Sequence, residues 1–133
     1  MRILIDTNIV VSAALFPDGR VSLLLKEVIE KHEICICTFS IDELLRVVKK
    51  KFKHKKGDVD EFLKRLSYEL VYTPLVLEAD MNISIRDPDD YPVLHSAIHA
   101  DVGVLLSGDD DFSDVKCERP AILSPSAFRK KYL

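Results

Sequence analysis

Glycine and cysteine are scarce in this chain of 133 residues, and long apolar runs are missing from it. The glycines, at positions 19, 57, 103 and 108, are too scattered to form the glycine-rich loop that cradles the phosphates of a nucleotide. The three cysteines form neither an even disulfide framework nor a C-x-x-C pair. No segment approaches the roughly 18 to 20 apolar residues that a membrane-spanning helix needs. These absences argue against a nucleotide-binding loop, a disulfide scaffold and a membrane anchor.

The apolar N-terminal segment, MRILIDTNIVVSAALF, has the composition of a signal peptide. However, Asp6 and Asn8 interrupt its apolar run early, and no small-residue cleavage site follows. The segment is better explained as a first strand that leads into a first helix. We therefore expect a cytoplasmic protein.

The length and composition indicate one folded domain over residues 1–133. The chain is close to the usual size of a single domain. Apolar residues make up 47% of it, which is enough for a full hydrophobic core. We see no repeat or linker that would divide the chain.

Short apolar runs alternate with amphipathic segments along the sequence. We predict strands at 2–6, 33–39, 71–73, 102–107 and 121–123, and helices at 8–15, 20–31, 40–53, 58–70, 89–100 and from Ser124 onward. Strands that alternate with helices predict an α/β fold, with a central parallel sheet flanked by helices on both faces. Cys35 and Cys37 share one face of the second strand, where we expect them to pack as small apolar residues.

Three carboxylates follow or flank the predicted strands. Asp6 ends the first strand, Asp109 follows the fourth by two residues, and Asp90 opens a helix on the side that faces the sheet. Sites in parallel α/β sheets form at the carboxyl edge of the strands, so these side chains are expected to meet there. Helix capping by Asp89 or Asp90 is the competing explanation, because a helix N-terminus favours a carboxylate. Capping does not explain three carboxylates at one edge.

Carboxylates that lie close together repel one another unless a cation neutralises them. Oxygen ligands in this number suit hard cations such as Mg²⁺ or Mn²⁺. Two such ions about 3.5 to 4 Å apart can activate water and stabilise the leaving oxygen during phosphodiester cleavage. The pattern therefore indicates phosphoryl transfer to water.

Glu43 admits two interpretations. Residues 40–43 match the S-x-x-E capping box, in which Glu43 would bond back to the backbone of Ser40. Glu43 could also pair with Arg46 or Lys50 along the helix. The local pattern alone favours such a structural role over a place in a metal site.

His95 and His99 are spaced as a zinc pair would be on a helix. Their predicted angles point away from the sheet, and no Glu stands between them in the H-E-x-x-H manner. We expect both to lie on a partly exposed flank of the helix rather than in a site.

The charges are unevenly distributed along the chain. Residues 46–56, which we call the basic segment, contain seven basic residues and no acidic one. Residues 78–114 contain ten acidic residues against the single Arg86. Such a division suits a protein that holds a polyanion with one surface and cations with another. For either half alone, a solvated charged face is the simpler explanation.

Four motifs together resemble the PIN-domain family, in particular its prokaryotic toxin-like branch, which is related to VapC-type ribonucleases. They are I-D-T-N at 5–8, S-x-x-E at 40–43, R-D-P-D-D at 86–90 and S-G-D-D-D-F at 107–112. The resemblance implies a PIN-like three-layer sandwich with a central parallel sheet. It also implies an acidic cluster that binds one or two Mg²⁺ or Mn²⁺ ions, and endonuclease action on RNA.

Carried over by position, the resemblance assigns a role to several residues of this chain. The catalytic and metal-binding acids fall on Asp6, Glu43, Asp90 and Asp109, with Asp111 as a further ligand or an alternative fourth acid. The supporting polar residues fall on Thr7, Asn8 and Ser107. The resemblance thus reverses the interpretation of Glu43, which becomes a member of the metal site.

The resemblance also names partners. An RNA substrate is expected. Lys49, Lys50, Lys53 and Lys56 of the basic segment are expected to bind it for an electrostatic reason, because an acidic pocket alone would repel a phosphate backbone. An antitoxin protein and a homodimer are both possible partners, whereas a membrane is not expected. The rival hypothesis is a catalytically inactive PIN-fold module that binds RNA or a protein. A haloacid-dehalogenase phosphatase does not fit, because Asn8 stands where its D-x-D motif needs a second Asp.

Overall fold

The structure is a computed structural model that describes residues 1–74, 91–108 and 119–133. Its strands are β1 (Arg2–Ile5), β2 (Glu33–Cys37), β3 (Tyr68–Val71), β4 (Val104–Leu106) and β5 (Ala121–Leu123). Its helices are α1 (Thr7–Leu15), α2 (Arg20–Lys31), α3 (Thr38–Lys51), α4 (Lys56–Arg65), α5 (Tyr91–His99) and α6 (Pro125–Tyr132), with a 3₁₀ turn at Lys53–Lys55.

The strands form one parallel sheet in the order β3-β2-β1-β4-β5. Ile3 of β1 stands opposite Ile34 on one side and Val104 on the other. The first strand is therefore central, and the chain builds outward from it first towards β3 and then towards β5. The predicted α/β fold with a central parallel sheet is confirmed.

Helices cover both faces of the sheet, which gives three layers. On one face, Ile3 and Ile5 are buried against residues of α1, α2, α3, α4 and α6. On the other face, Leu4 and Leu105 are buried against Leu94 and neighbouring residues of α5. Successive strand residues point to opposite faces, so a strand covered on both sides becomes apolar throughout, as the first strand is.

Cys35 and Cys37 pack on the α5 face as the sequence predicts, and both are fully buried. The Cys35 thiol donates to a carboxylate oxygen of Glu69 at 3.3 Å, and Glu69 in turn pairs with Arg2. Burial, with the bond to Glu69, raises the pKa of the Cys35 thiol to about 11. This thiol stays protonated at neutral pH and is a structural group.

The predicted C-terminal end of the fourth helix, at residue 70, is wrong. The sequence extends it to residue 70, but α4 stops at Arg65 and β3 already begins at Tyr68. Leu66 and Leu70 are spaced as on a helix, yet Leu66 adopts an extended backbone and Leu70 pairs with Ile36 of β2. Pairing with the sheet overrides the local spacing. Gly57 also lies within α4 instead of ending the helix before it.

The predicted exposure of His95 is also wrong. His95 is buried and its ring contacts the edge of Tyr91, whereas His99 is exposed. All residues from Val93 to Ala97 are buried, so α5 is covered around most of its circumference and has no open flank at His95. The predicted start of this helix at residue 89 lies outside the described residues.

No single helix in the described ranges has the length and apolarity of a membrane span. The adjacent helices α1 and α2 meet that test only when they are taken together, across a bend of 107°.

Candidate functional site

Asp6 lies where β1 ends and α1 begins, and its carboxylate is held at both oxygens. Oδ1 accepts from the backbone N–H of Thr7 and Oδ2 accepts from the hydroxyl of Ser107, each at 2.8 Å. The side chain is almost fully buried, with 2% of its surface exposed. As the N-cap of α1, it also meets the positive end of the helix dipole. The fold thus keeps a carboxylate inside the protein and fixes its orientation.

Ser107 reaches Asp6 because β4 lies beside β1. The backbone N–H of Asp6 donates to the carbonyl of Leu106, the last residue of β4, at 2.9 Å. Ser107 is the next residue, so the two side chains leave neighbouring strands at the same edge. The strand order reverses between β1 and β4, because β2 and β3 are added on one side of β1 whereas β4 and β5 are added on the other. In open α/β sheets, ligands bind at such a reversal point. Ser107 thus contacts Asp6 directly, and its supporting role in a metal site stays a prediction.

The third helix begins earlier than the S-x-x-E motif suggests. It starts at Thr38 with Cys37 as N-cap, so Ser40 lies inside its first turn and the predicted helix start at residue 40 is wrong. Ser40 is fully buried, and its hydroxyl oxygen lies 2.8 Å from that of Thr7. The capping box is therefore not formed, because Ser40 is a residue of the first turn and not the N-cap; its hydroxyl also lies 3.3 Å from the Cys37 thiol.

Glu43 lies one turn beyond Ser40 on α3. Residues three apart are about 60° apart around a helix, so Glu43 leaves α3 on the same side as Ser40, towards α1. The Glu43 side chain is 29% exposed, and its Oε1 accepts from Nη1 of Arg46 at 2.5 Å. The pairing with Arg46 that the sequence offers as an alternative is present. It leaves the second carboxylate oxygen of Glu43 outside that contact.

Two of the predicted supporting residues occupy the first turn of α1. Thr7 gives its backbone N–H to Asp6 and directs its hydroxyl to Ser40. Asn8 is exposed beside it. The N-terminal motif thus contributes a carboxylate, a contact to α3 and a polar surface group.

A second hydroxyl network joins the start of α3 to α5, and sequence reasoning did not find it. The hydroxyl of Thr73 accepts from the backbone N–H of Phe39 at 3.2 Å, and the backbone N–H of Thr73 donates to the hydroxyl of Thr38 at 3.0 Å. Ser96 of α5 lies 2.9 Å from Thr73 Oγ1. These side chains tie together elements that are distant in sequence. Only the position of Thr38 and Thr73 near the ends of two predicted strands could have drawn attention to them.

The remaining predicted acids, Asp90, Asp109 and Asp111, lie outside the described residues. Their described neighbours are Tyr91, which opens α5, and Gly108, which follows Ser107. In the described ranges, no three His, Cys, Asp or Glu side chains gather as a metal site would require. The structure therefore brings Asp6, Ser107, Thr7 and Ser40 into one contact chain and sets Glu43 on the adjoining helix.

The donor set of Asp6 and Glu43 fits a hard cation. Both supply carboxylate oxygens, which act only as acceptors when the group is ionised. Thr7 and Ser107 donate to Asp6 as neutral groups, so they orient its charge without cancelling it. Oxygen ligands of this kind suit Mg²⁺ or Mn²⁺.

The basic segment begins on the same helix as Glu43. Arg46, Lys49, Lys50 and Lys53 line one shallow depression along and beyond the second half of α3. Lys55 is occupied otherwise: its ammonium donates to the carbonyl of Leu15 at 2.9 Å and lies over the ring of Phe16. The basic segment thus combines a structural lysine with solvent-exposed ones.

Comparison with known proteins places these features in a family. Residues 2–111 match the PIN domain family, whose members are generally nucleases. A search of curated proteins finds no significant match.

Among solved structures, the fold is similar to a chain in the crystal structure of VapBC2 from Rickettsia felis bound to a DNA fragment from their promoter. The TM-score is 0.70 at 19% sequence identity, over 93% of this chain and 98% of that one. Since the family match spans most of the chain, and the parallel sheet carries a buried aspartate at the reversal of its strand order, this chain belongs to the PIN-domain family.

Proposed function

We propose that this chain is a metal-dependent endoribonuclease and acts as the VapC-like toxin of a toxin–antitoxin pair. The observation that carries the proposal is the buried carboxylate of Asp6, which two neutral donors orient at the reversal of strand order. A buried carboxylate needs hydrogen bonds to offset its desolvation, and a bound cation stabilises it further. Two donors fixing a buried acid at a ligand-binding edge support a cation site.

The ligands in this proposal are Asp6, Glu43, Asp90 and Asp109, with Asp111 as a further candidate. Bound Mg²⁺ or Mn²⁺ would supply activation of water and neutralisation of the phosphate charge. The protein's own part is positioning. Ser107 holds one oxygen of Asp6, and the first turn of α1 holds the other.

The proposed substrate is RNA, held along the depression formed by Arg46, Lys49, Lys50 and Lys53. An acidic pocket alone repels a phosphate backbone, so a nearby cationic surface is needed to attract it. Lys56, which opens α4, would extend this surface.

The proposed protein partner is an antitoxin, and a homodimer is compatible with the same proposal. Support comes from the structural neighbour, which is a VapBC2 complex bound to promoter DNA. A small DNA-binding-type gene next to the gene for this chain would add to that support.

The proposal is tested by incubating the purified protein with single-stranded RNA at increasing Mn²⁺ or Mg²⁺. We expect cleavage that depends on the cation and is lost in Asp6→Asn, because the amide removes the ligand charge while keeping the side-chain shape. Ser126→Ala, a change in the exposed first turn of α6, serves as a control and should cleave normally.

RNA binding without cleavage by the wild type would instead favour the catalytically inactive module. Equal cleavage by the wild type and Asp6→Asn would indicate a contaminating nuclease or a different site.

A further inference from the structure

Arg46 occupies an unusual position between the candidate acids and the basic surface. Its Nη1 donates to Glu43 one turn earlier, yet 63% of its side chain remains exposed. It also lines the basic depression with Lys49, Lys50 and Lys53. In the described part of the chain, Arg46 is the residue of this depression that forms an ion pair with a candidate metal ligand, Glu43.

A divalent cation and the guanidinium of Arg46 would compete for the carboxylate of Glu43. A divalent cation and a guanidinium are both positive, so a cation on the Glu43 carboxylate repels the guanidinium that pairs with it. When the cation takes the carboxylate, Arg46 loses its counter-ion and keeps its mobility, because most of its side chain is in solvent. A released guanidinium presents a planar fork that matches two oxygens of a phosphate.

From this geometry we propose that Arg46 is a phosphate-binding residue that Glu43 holds in the metal-free protein and releases when a cation binds. The inference rests on the proposed function, since it takes the cation and the RNA from it. It adds a coupling between them: cation binding at Glu43 makes a phosphate-binding group available at the first position of the basic depression.

The proposal predicts effects of opposite sign in one variant. In Arg46→Gln, the affinity for Mn²⁺ measured by titration calorimetry should rise about two- to fivefold, because a competing charge is removed. The affinity for single-stranded RNA at saturating Mn²⁺ should fall. The slope of the logarithm of the binding constant against the logarithm of the salt concentration should become less negative by about 0.7, the value for one phosphate contact on a single strand.

The RNA probe is a labelled 2′-O-methyl, phosphorothioate-linked oligonucleotide, chosen to slow cleavage, and denaturing gels confirm that it stays intact. Binding is measured by fluorescence anisotropy with and without Mn²⁺. In the wild type, Mn²⁺ should tighten RNA binding; in Arg46→Gln, this tightening should shrink. Arg46→Lys keeps the charge without the fork, so its Mn²⁺ affinity should stay near that of the wild type while its RNA affinity falls part of the way.

Arg65→Gln is the matched control. Arg65 also forms an exposed pair along a helix, with Glu61 at 2.9 Å, but it ends α4 just before β3 begins. It therefore lies at the edge of the sheet opposite Asp6. Its removal takes away the same charge and should change neither affinity.

Unchanged Mn²⁺ and RNA affinities in Arg46→Gln would overturn the proposal and leave Arg46 as an ordinary helix-surface partner. Equal changes in Arg46→Gln and Arg65→Gln would also overturn it, because they would reflect net charge alone. A wild-type protein that binds no Mn²⁺ would defeat the proposed function as well, so the two failures are distinguishable.

Discussion

At the scale of single residues, Asp6 is a buried carboxylate that accepts a hydrogen bond from a neutral donor at each oxygen. Ser107 supplies one of these donors from the position just after β4, 101 positions away in the chain. A hydrogen bond to a charged group contributes about 1.5 to 3 kcal/mol, which is more than a neutral one does. The stability of the metal-free protein should therefore depend on this one hydroxyl.

We predict that Ser107→Ala lowers the free energy of unfolding by about 1.5 to 3 kcal/mol in urea without added metal. The loss should become small when Asp6→Asn is already present, because the bond to a neutral amide is worth less. Ser107→Thr keeps the hydroxyl and should stay closer to the wild type. An equal loss from Ser107→Ala with either Asp6 or Asn at position 6 would show that the hydroxyl acts through packing and not through the carboxylate.

At the scale of elements, the site depends on how α1 and α3 are held together. A polar link joins them between the hydroxyls of Thr7 and Ser40, which lie 2.8 Å apart. Thr7 follows Asp6 and Ser40 precedes Glu43 by one turn, so this link sets the relation between the two candidate acids. It is a positioning contact.

A double-mutant cycle tests the link. We predict that Thr7→Val and Ser40→Ala each destabilise the protein, and that the two effects are coupled by about 0.5 to 1.5 kcal/mol. Mn²⁺ affinity should fall in either single variant, while Ser96→Ala, which alters the other hydroxyl network, provides the comparison for a loss of stability alone. Additive effects on stability with unchanged Mn²⁺ affinity would rule out the positioning role.

Local patterns predicted some elements well and others poorly, for physical reasons. The helix at residues 20–31 and the strand at 121–123 agree with the structure, since the helix carries its own periodicity and the strand is a short apolar run that Ser124-Pro125 ends. The start of α3 was placed two residues late, because S-x-x-E is a local cap signal. Ser40 instead contacts Thr7, 33 positions away, as well as the nearby Cys37, and no local pattern reports the contact with Thr7.

The candidate site, like the elements, was predictable from the sequence only in part. The position of Asp6 at the end of a strand and its proximity to Ser107 follow from the order of a parallel sheet, as does the burial of this edge. The ion pair between Glu43 and Arg46 was foreseen only as one alternative. Whether Glu43 binds metal depends on competition between two charges, and spacing along the sequence does not determine that.

At the scale of the whole molecule, the carboxyl edge of the sheet brings an acidic site close to the start of a basic surface. The carboxyl edge holds Asp6, and the basic segment leads away from it along α3. The segment reaches Lys55, which is fixed to Leu15 at the far end of α1. That point is about 12 Å along the α1 axis from Thr7, at 1.5 Å per residue. A single strand that follows the exposed lysines would therefore be drawn towards the acids.

The last prediction concerns this path. Replacing Lys50, Lys53 and Lys56 by Gln should weaken binding of single-stranded RNA. The slope of log K against log[salt] should become less negative by up to about 2, since each phosphate contact contributes roughly 0.7. All three side chains are exposed, and Lys55, which has the structural contacts, is left in place. Mn²⁺ should still raise the melting temperature of this variant, as a ligand that binds the folded state does, because none of the three lysines is a proposed metal ligand.

The matched control removes the same charge from the opposite edge, by replacing Lys31, Lys64 and Lys130 with Gln. Lys31 ends α2 and Lys64 lies in the last turn of α4, each just before a strand begins. Lys130 lies on α6, whose Phe128 contacts His32 beside the start of β2. If RNA binding depends on the path, the control triple should keep most of its affinity and slope. Equal losses in both triples would mean that net charge alone attracts RNA, and an unchanged slope in the first would leave its lysines a solubilising role.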